Sequence, residues 1–128
     1  MAYEKEDMEV LQERYSDILK IDYIECDIGW FDILDKALSQ MLMLCCETGE
    51  SIKIVQIKEK FGGLRFYIQN GSNEMYKRIV DAENQSYETC ETCGEKGEIR
   101  RDIGWWMTLC ETHYNEKKLK YEQRNTNP

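Results

Sequence analysis

Two short runs hold the residues of this sequence best suited to chemistry, Cys90-Glu91-Thr92-Cys93-Gly94 and Cys110-Glu111-Thr112-His113. Two thiolates separated by two residues can grip one ion, and a glycine directly after them permits the tight turn that the grip needs. A cysteine and a histidine at the same separation complete a set of four donors: Cys90, Cys93, Cys110 and His113. Sulfur and imidazole donors in that number suit one tetrahedral zinc ion per chain. All four positions would be filled by protein, leaving none for water or substrate, so the ion is expected to hold structure and perform no reaction. The competing account is chance spacing of core cysteines. Cys26, Cys45 and Cys46 fall outside the pattern, and the last two close an apolar helical stripe, where they read as small buried hydrophobes.

The other unusual run is Lys58 to Tyr67, KEKFGGLRFY. Lysine and arginine supply charge and forked donors for phosphate, glycine lets a ligand approach the backbone, and aromatic faces stack on bases. Lys58, Lys60, Phe61, Gly62, Gly63, Arg65 and Tyr67 are therefore the candidate contacts for a small anionic, nucleotide-like ligand. Lys58, Lys60 and Arg65 would meet phosphate, and Phe61 or Tyr67 would stack on a base. The plainer account is a hairpin that needs glycine at its turn, aromatics in its core and cations on its exposed face. Arg100, Arg101, Trp105 and Trp106 would extend a ligand surface if two hairpins face each other; otherwise the tryptophans would dock the metal unit onto the body.

These residues need a frame. Met8, Leu11, Tyr15, Ile18 and Leu19 recur at spacings of three and four, which predicts an amphipathic helix over 3–20. After a loop around Asp27, Gly29 and Trp30, a second helix over 31–46 carries Phe31, Leu34, Leu38, Met41, Leu42 and Cys45 on one stripe, with Gly49 as its terminator. The runs SIKIVQIK and LRFYIQ flank Gly62-Gly63 and predict a hairpin over 51–69, with Leu64, Phe66 and Ile68 on one face and Arg65 and Tyr67 on the other. A third helix over 73–87 offers Met75, Ile79, Ala82 and Ser86 to the core. Residues 1–88 thus form one body. Residues 89–121 form a metal unit: a cysteine turn, a hairpin from Glu98–Arg101 and Trp105–Leu109, then a helix through Lys120 whose first turn holds the last two ligands. That order resembles a treble clef. Residues 122–128 read as a flexible tail. The fold class is α+β, with helices packed on a small antiparallel sheet and a C-terminal treble-clef-like zinc unit.

Composition narrows the function. A charged share of 33% beside 41% hydrophobic residues is that of a globular chain. The net charge of −8 opposes nonspecific nucleic-acid binding, which depends on cations neutralising phosphates. The absence of a long apolar run, and of a basic and apolar leader in MAYEKEDMEV, implies a cytoplasmic protein with reduced thiols and no membrane partner. No nucleophile elbow, phosphate loop or dinucleotide fingerprint occurs, and the only histidine is assigned to the metal, so a non-catalytic protein is expected.

Gly29-Trp30 ahead of an apolar helix, QIKEKFGGLRFY at 56–67, Ala82-Glu83 to Ser86, the Cys90–Gly94 knuckle and WMTLCETH at 106–113 occur together, and the set resembles a family of small phage- and prophage-encoded proteins over residues 26–114. The resemblance implies an accessory protein acting in an infected bacterial cytoplasm. Two functions follow as expectations. One is sequestration of a nucleotide-like ligand, with a counter-defence role, in a pocket formed within one chain or across a homo-oligomer. The other is a zinc-stabilised adaptor or inhibitor that binds a host protein through its acidic N-terminal helix; a nucleic-acid-binding zinc protein is its weaker variant.

Overall fold

The computed structural model of the chain describes residues 5–126. The first helix, α1 (Lys5–Arg14), is shorter than its apolar spacing predicts, and residues 3 and 4 lie outside the described residues. Met8, Leu11, Tyr15, Ile18 and Leu19 are all buried, so the spacing identified the core positions but not the end of the helix. The chain turns after Arg14 because backbone groups there serve a sheet: Ile18 O accepts from Ile54 N at 2.8 Å, and Lys20 N donates to Ile54 O at 3.1 Å. Leu19 and Glu25 make parallel bridges to Ile54 and Lys58. The segment between them therefore covers one edge of the following hairpin.

A 3₁₀ turn at Ile28–Trp30 leads into α2 (Phe31–Thr48), which buries Phe31, Ile33, Leu34, Ala37, Leu38 and Met41. Gly49 caps it in the left-handed region (φ 75°), where only glycine avoids a steric cost. Cys45 is half-buried, whereas Cys46 is exposed and not the core residue its position suggested; helical geometry turns consecutive residues about 100° apart, so one of the two must leave the stripe.

Strands β1 (Lys53–Lys60) and β2 (Gly63–Gln69) pair antiparallel, with a bulge at Val55 between the Ile54 and Gln56 pairings. The turn is Phe61-Gly62, one residue earlier than the diglycine predicted, because Lys60 pairs with Gly63. Both turn residues have positive φ, 53° and 84°, as a type I′ turn requires. For Phe61 that conformation costs about 1–2 kcal/mol. Gly63 serves another need: a Cβ there would lie 2.6 Å from the Tyr87 ring.

Helix α3 (Asn73–Ser86), capped by Ser72, buries Met75, Ile79, Ala82 and Ser86 as its spacing predicts and packs against β2 and α2. Ser86 has a specific task. Its hydroxyl accepts from the buried Leu64 N–H at 2.9 Å and donates to Glu83 O. Ser86→Ala leaves that N–H without a partner, and thermal or urea unfolding should show a loss of about 1–3 kcal/mol with the fold retained.

Residues from Cys90 onward form a second, smaller core of Cys90, Ile103, Met107 and Leu109, with Cys110 and Tyr114 against it. Strands β3 (Glu98–Arg100) and β4 (Met107–Leu109) pair antiparallel, and α4 (Glu111–Thr126) follows at once. Helix α4 runs to Thr126, past the end near Lys120 that the sequence pattern gave, and its outer turns are largely exposed. The fold is α+β, with two separate two-stranded antiparallel sheets among the described residues. No helix among the described residues is long and apolar enough to cross a membrane.

Candidate metal centre and the groove beside it

The turn after α3 sets Cys90 and Cys93, and the first turn of α4 sets Cys110 and His113. The β3–β4 hairpin returns the chain between them. The three sulfurs and the His113 ring nitrogen lie within 4.8 Å of one another. Cys93 and Cys110 sulfurs are 3.8 Å apart, and His113 Nδ1 is 3.7 Å from Cys90 and 3.2 Å from Cys110. An ion with sulfur at about 2.3 Å and nitrogen at about 2.0 Å in a tetrahedron would hold its donors about 3.5–3.8 Å apart. The four side chains therefore form a cluster of the size a metal ion needs.

The electrostatics agree. Burial opposes ionisation of Cys90, but backbone N–H groups of Cys110, Cys93 and Thr92 directed at its sulfur outweigh it and bring the thiol down to about 7. Cys93 is pushed up to about 11, by burial and then by the neighbouring Cys90 and Cys110 sulfurs. Crowded sulfurs that cannot all carry charge are the arrangement a divalent cation relieves. Arg100 donates to Leu109 O at 3.2 Å, its guanidinium lying over the Tyr114 ring, and so braces the strand that leads into Cys110.

The metal unit is clamped to the body through Gly29 and Trp30. Gly29 N donates to Glu91 O at 2.7 Å, Asp27 N to the Glu91 carboxylate at 3.1 Å, and the fully buried Trp30 donates its indole N–H to Thr89 O at 2.9 Å. Burial raises the Glu91 carboxyl to about 7. On the other side the buried Thr108 hydroxyl donates to Gly62 O at 2.6 Å and Glu91 N to Thr108 O at 3.0 Å. Docking thus falls to Trp30, Gly29 and Thr108. Trp105 and Trp106 remain 49% and 43% exposed, which frees them for contact with something else.

The two hairpins do face each other. A groove of about 690 Å³ opens between the tip of the first and the loop of the second, with Phe61, Arg65 and Tyr87 on one side and Ile99, Gly104, Trp105 and Trp106 on the other. Phe61 and Trp106 meet edge to face at 6.1 Å between ring centres. Cations flank these rings: Lys60 lies 5.8 Å from the centre of the Phe61 ring and Arg101 4.6 Å from Trp106.

The structure divides the residues singled out in KEKFGGLRFY. Phe61 and Arg65 line the groove, and Lys60 stands beside it. Lys58 lies over Tyr67, away from the groove lining. Gly62 and Gly63 are taken up by the turn and by packing against Thr108 and Tyr87. Arg65 is held by Glu83 at 2.7 Å and by the Tyr87 hydroxyl at 3.1 Å. Tyr87 carries no site signal in the sequence, because it stands at the end of a helix whose periodicity is accounted for by the core. Its proximity to Arg65 depends on a pairing 22 residues apart. Comparisons with protein-family profiles, curated proteins and solved structures found no match.

Proposed function

We propose that this chain is a non-catalytic binding protein in which a structural zinc ion staples a treble-clef-like unit to an α+β body, and in which the seam between the two hairpins takes a small nucleotide-like anion. The groove carries this reading: four aromatic side chains, three of them well exposed, line one cavity flanked by two cations in a protein of net charge −8. Base-stacking faces beside fixed positive charge suit a flat anionic ligand. Three thiolates and an imidazole favour zinc over harder cations, and four protein donors close the site to substrate. The resemblance to phage and prophage proteins supports an accessory, counter-defence role in which a nucleotide signal is sequestered.

The test is native mass spectrometry of protein taken from bacterial lysate, followed by melting of the purified protein against mono-, di- and cyclic nucleotides. One zinc per chain and a nucleotide that raises the melting temperature, with the shift lost in Trp106→Ala, are expected. A panel that leaves the melting temperature unmoved would overturn the nucleotide assignment. It would favour the adaptor reading, for which a cavity of about 930 Å³ offers a place: Met8, Tyr23, Ile24 and Ile28 give it an apolar lining, and Glu9, Asp22 and Asp27 add negative charge suited to a basic partner.

A further inference from the structure

Phe61 occupies a position that turn chemistry does not explain. The second and third residues of a type I′ turn favour Asn-Gly, because asparagine and glycine tolerate positive φ and a bulky aromatic residue does not. Here the pair is Phe61-Gly62, with φ 53° at the phenylalanine. Burial gives little compensation, since Phe61 is 61% exposed; its ring meets Trp106 edge to face with centres 6.1 Å apart, and the Lys60 ammonium lies 5.8 Å from its centre. A strained backbone whose side chain stays in water, at the rim of an aromatic groove, is the kind of outlier that accumulates at binding sites.

The charges around the groove are equally selective. Arg65 reaches into it but is neutralised by Glu83, which also accepts from Tyr87 at 3.0 Å. Lys60 and Arg101 make only ring contacts among the groups described, and those rings are Phe61 and Trp106, the two that meet across the seam.

We propose, building on the nucleotide reading above, that Phe61 is held in its left-handed conformation as the base-stacking wall of the groove, that Lys60 and Arg101 receive the phosphate, and that Arg65 is a positioning residue for Tyr87. The fold gives up turn stability to keep an aromatic face pre-oriented toward the ligand. Base stacking on such a face is sequence-tolerant, so the site reads the presence of a base and a phosphate more than the identity of the base.

The experiment uses the full chain with zinc, the four nucleoside 5′-monophosphates, and the matching nucleosides as phosphate-free controls. Phe61→Asn should raise the melting temperature by about 3 °C, because it installs the preferred turn pair, and should weaken nucleotide and nucleoside alike by roughly tenfold. Arg101→Gln should weaken the monophosphates by a similar factor and leave the nucleosides unchanged. A lower melting temperature for Phe61→Asn would show that Phe61 serves the fold and would overturn the inference. So would nucleotide affinity that survives the substitution while the wild type binds. If the wild type binds none of the eight compounds, this inference is overturned, whereas the nucleotide reading stands or falls with the wider panel of mono-, di- and cyclic nucleotides.

Discussion

Cys110→Ser is expected to abolish metal binding and unfold the C-terminal unit while leaving the body folded. The reason is the size of the second core. Cys90, Ile103, Met107 and Leu109 are the buried apolar residues of a unit built from two strands of three residues and a helix with most of its surface in water. A segment of about 35 residues lies below the length at which apolar burial alone sustains a fold. The Cys90–Cys93 turn is joined to the start of α4 by donors 3.2 to 3.8 Å apart, the spacing that tetrahedral coordination of one ion would hold. Apparent binding energies of structural zinc are about 10–16 kcal/mol, far more than such a core supplies, so metal affinity and local folding are one quantity. Native mass spectrometry should show a metal ion, zinc under the function proposed above, on the wild type and none on the variant, and hydrogen exchange should show β3, β4 and α4 losing protection while α2, α3 and β1–β2 keep theirs. A variant that retains stoichiometric zinc with unchanged protection would mean that the sulfur of Cys110 is not a ligand.

Legibility in the sequence followed the range of the interaction concerned. That Cys90, Cys93, Cys110 and His113 come together was legible because each pair sits on one turn, and turn chemistry fixes its spacing. The stripes of α2 and α3 were legible for the same reason. The end of α1 was not, because the groups that draw the chain out of helix, Ile18 O and Lys20 N, are bonded to Ile54, some 35 positions away. Gly62-Gly63 looked like one turn because both glycines are rare outside turns, yet the structure uses Gly62 for positive φ and Gly63 for space beneath Tyr87. The groove shows the same limit. Phe61 and the two tryptophans could be named from composition, but that they share one cavity follows from Thr108 bonding Gly62 across 46 positions.

Gly29→Ala should be the most damaging single-methyl change in the chain. Gly29-Trp30 carries no chemistry of its own, and the structure shows what it is for. A Cβ on Gly29 would lie 2.3 Å from both Cys90 O and Glu91 O, and 2.5 Å from Glu91 C. These are backbone atoms, so no rotamer change relieves the overlap and the knuckle must move away from the body. Moving it strains three bonds at once: Gly29 N to Glu91 O, Asp27 N to the Glu91 carboxylate, and Trp30 Nε1 to Thr89 O. Overpacking of a well-packed contact costs about 1–3 kcal/mol, and loosening buried hydrogen bonds adds to it, so a loss of about 3 kcal/mol or more is expected. Gly49→Ala supplies the comparison, because φ is 75° there but nothing lies within 4 Å of the added methyl, and its cost should be the left-handed penalty alone, about 1–2 kcal/mol. The two variants therefore separate steric clash from backbone strain. Urea unfolding should place Gly29→Ala well below Gly49→Ala, with the metal content of the wild type retained because none of the four clustered donors has changed, and with exchange protection lost first at Cys90–Cys93 and around Trp30. Equal stability of the two would mean that the body and the metal unit are not clamped at Gly29, and that the docking rests on Trp30 with Thr89 and on Thr108 with Gly62.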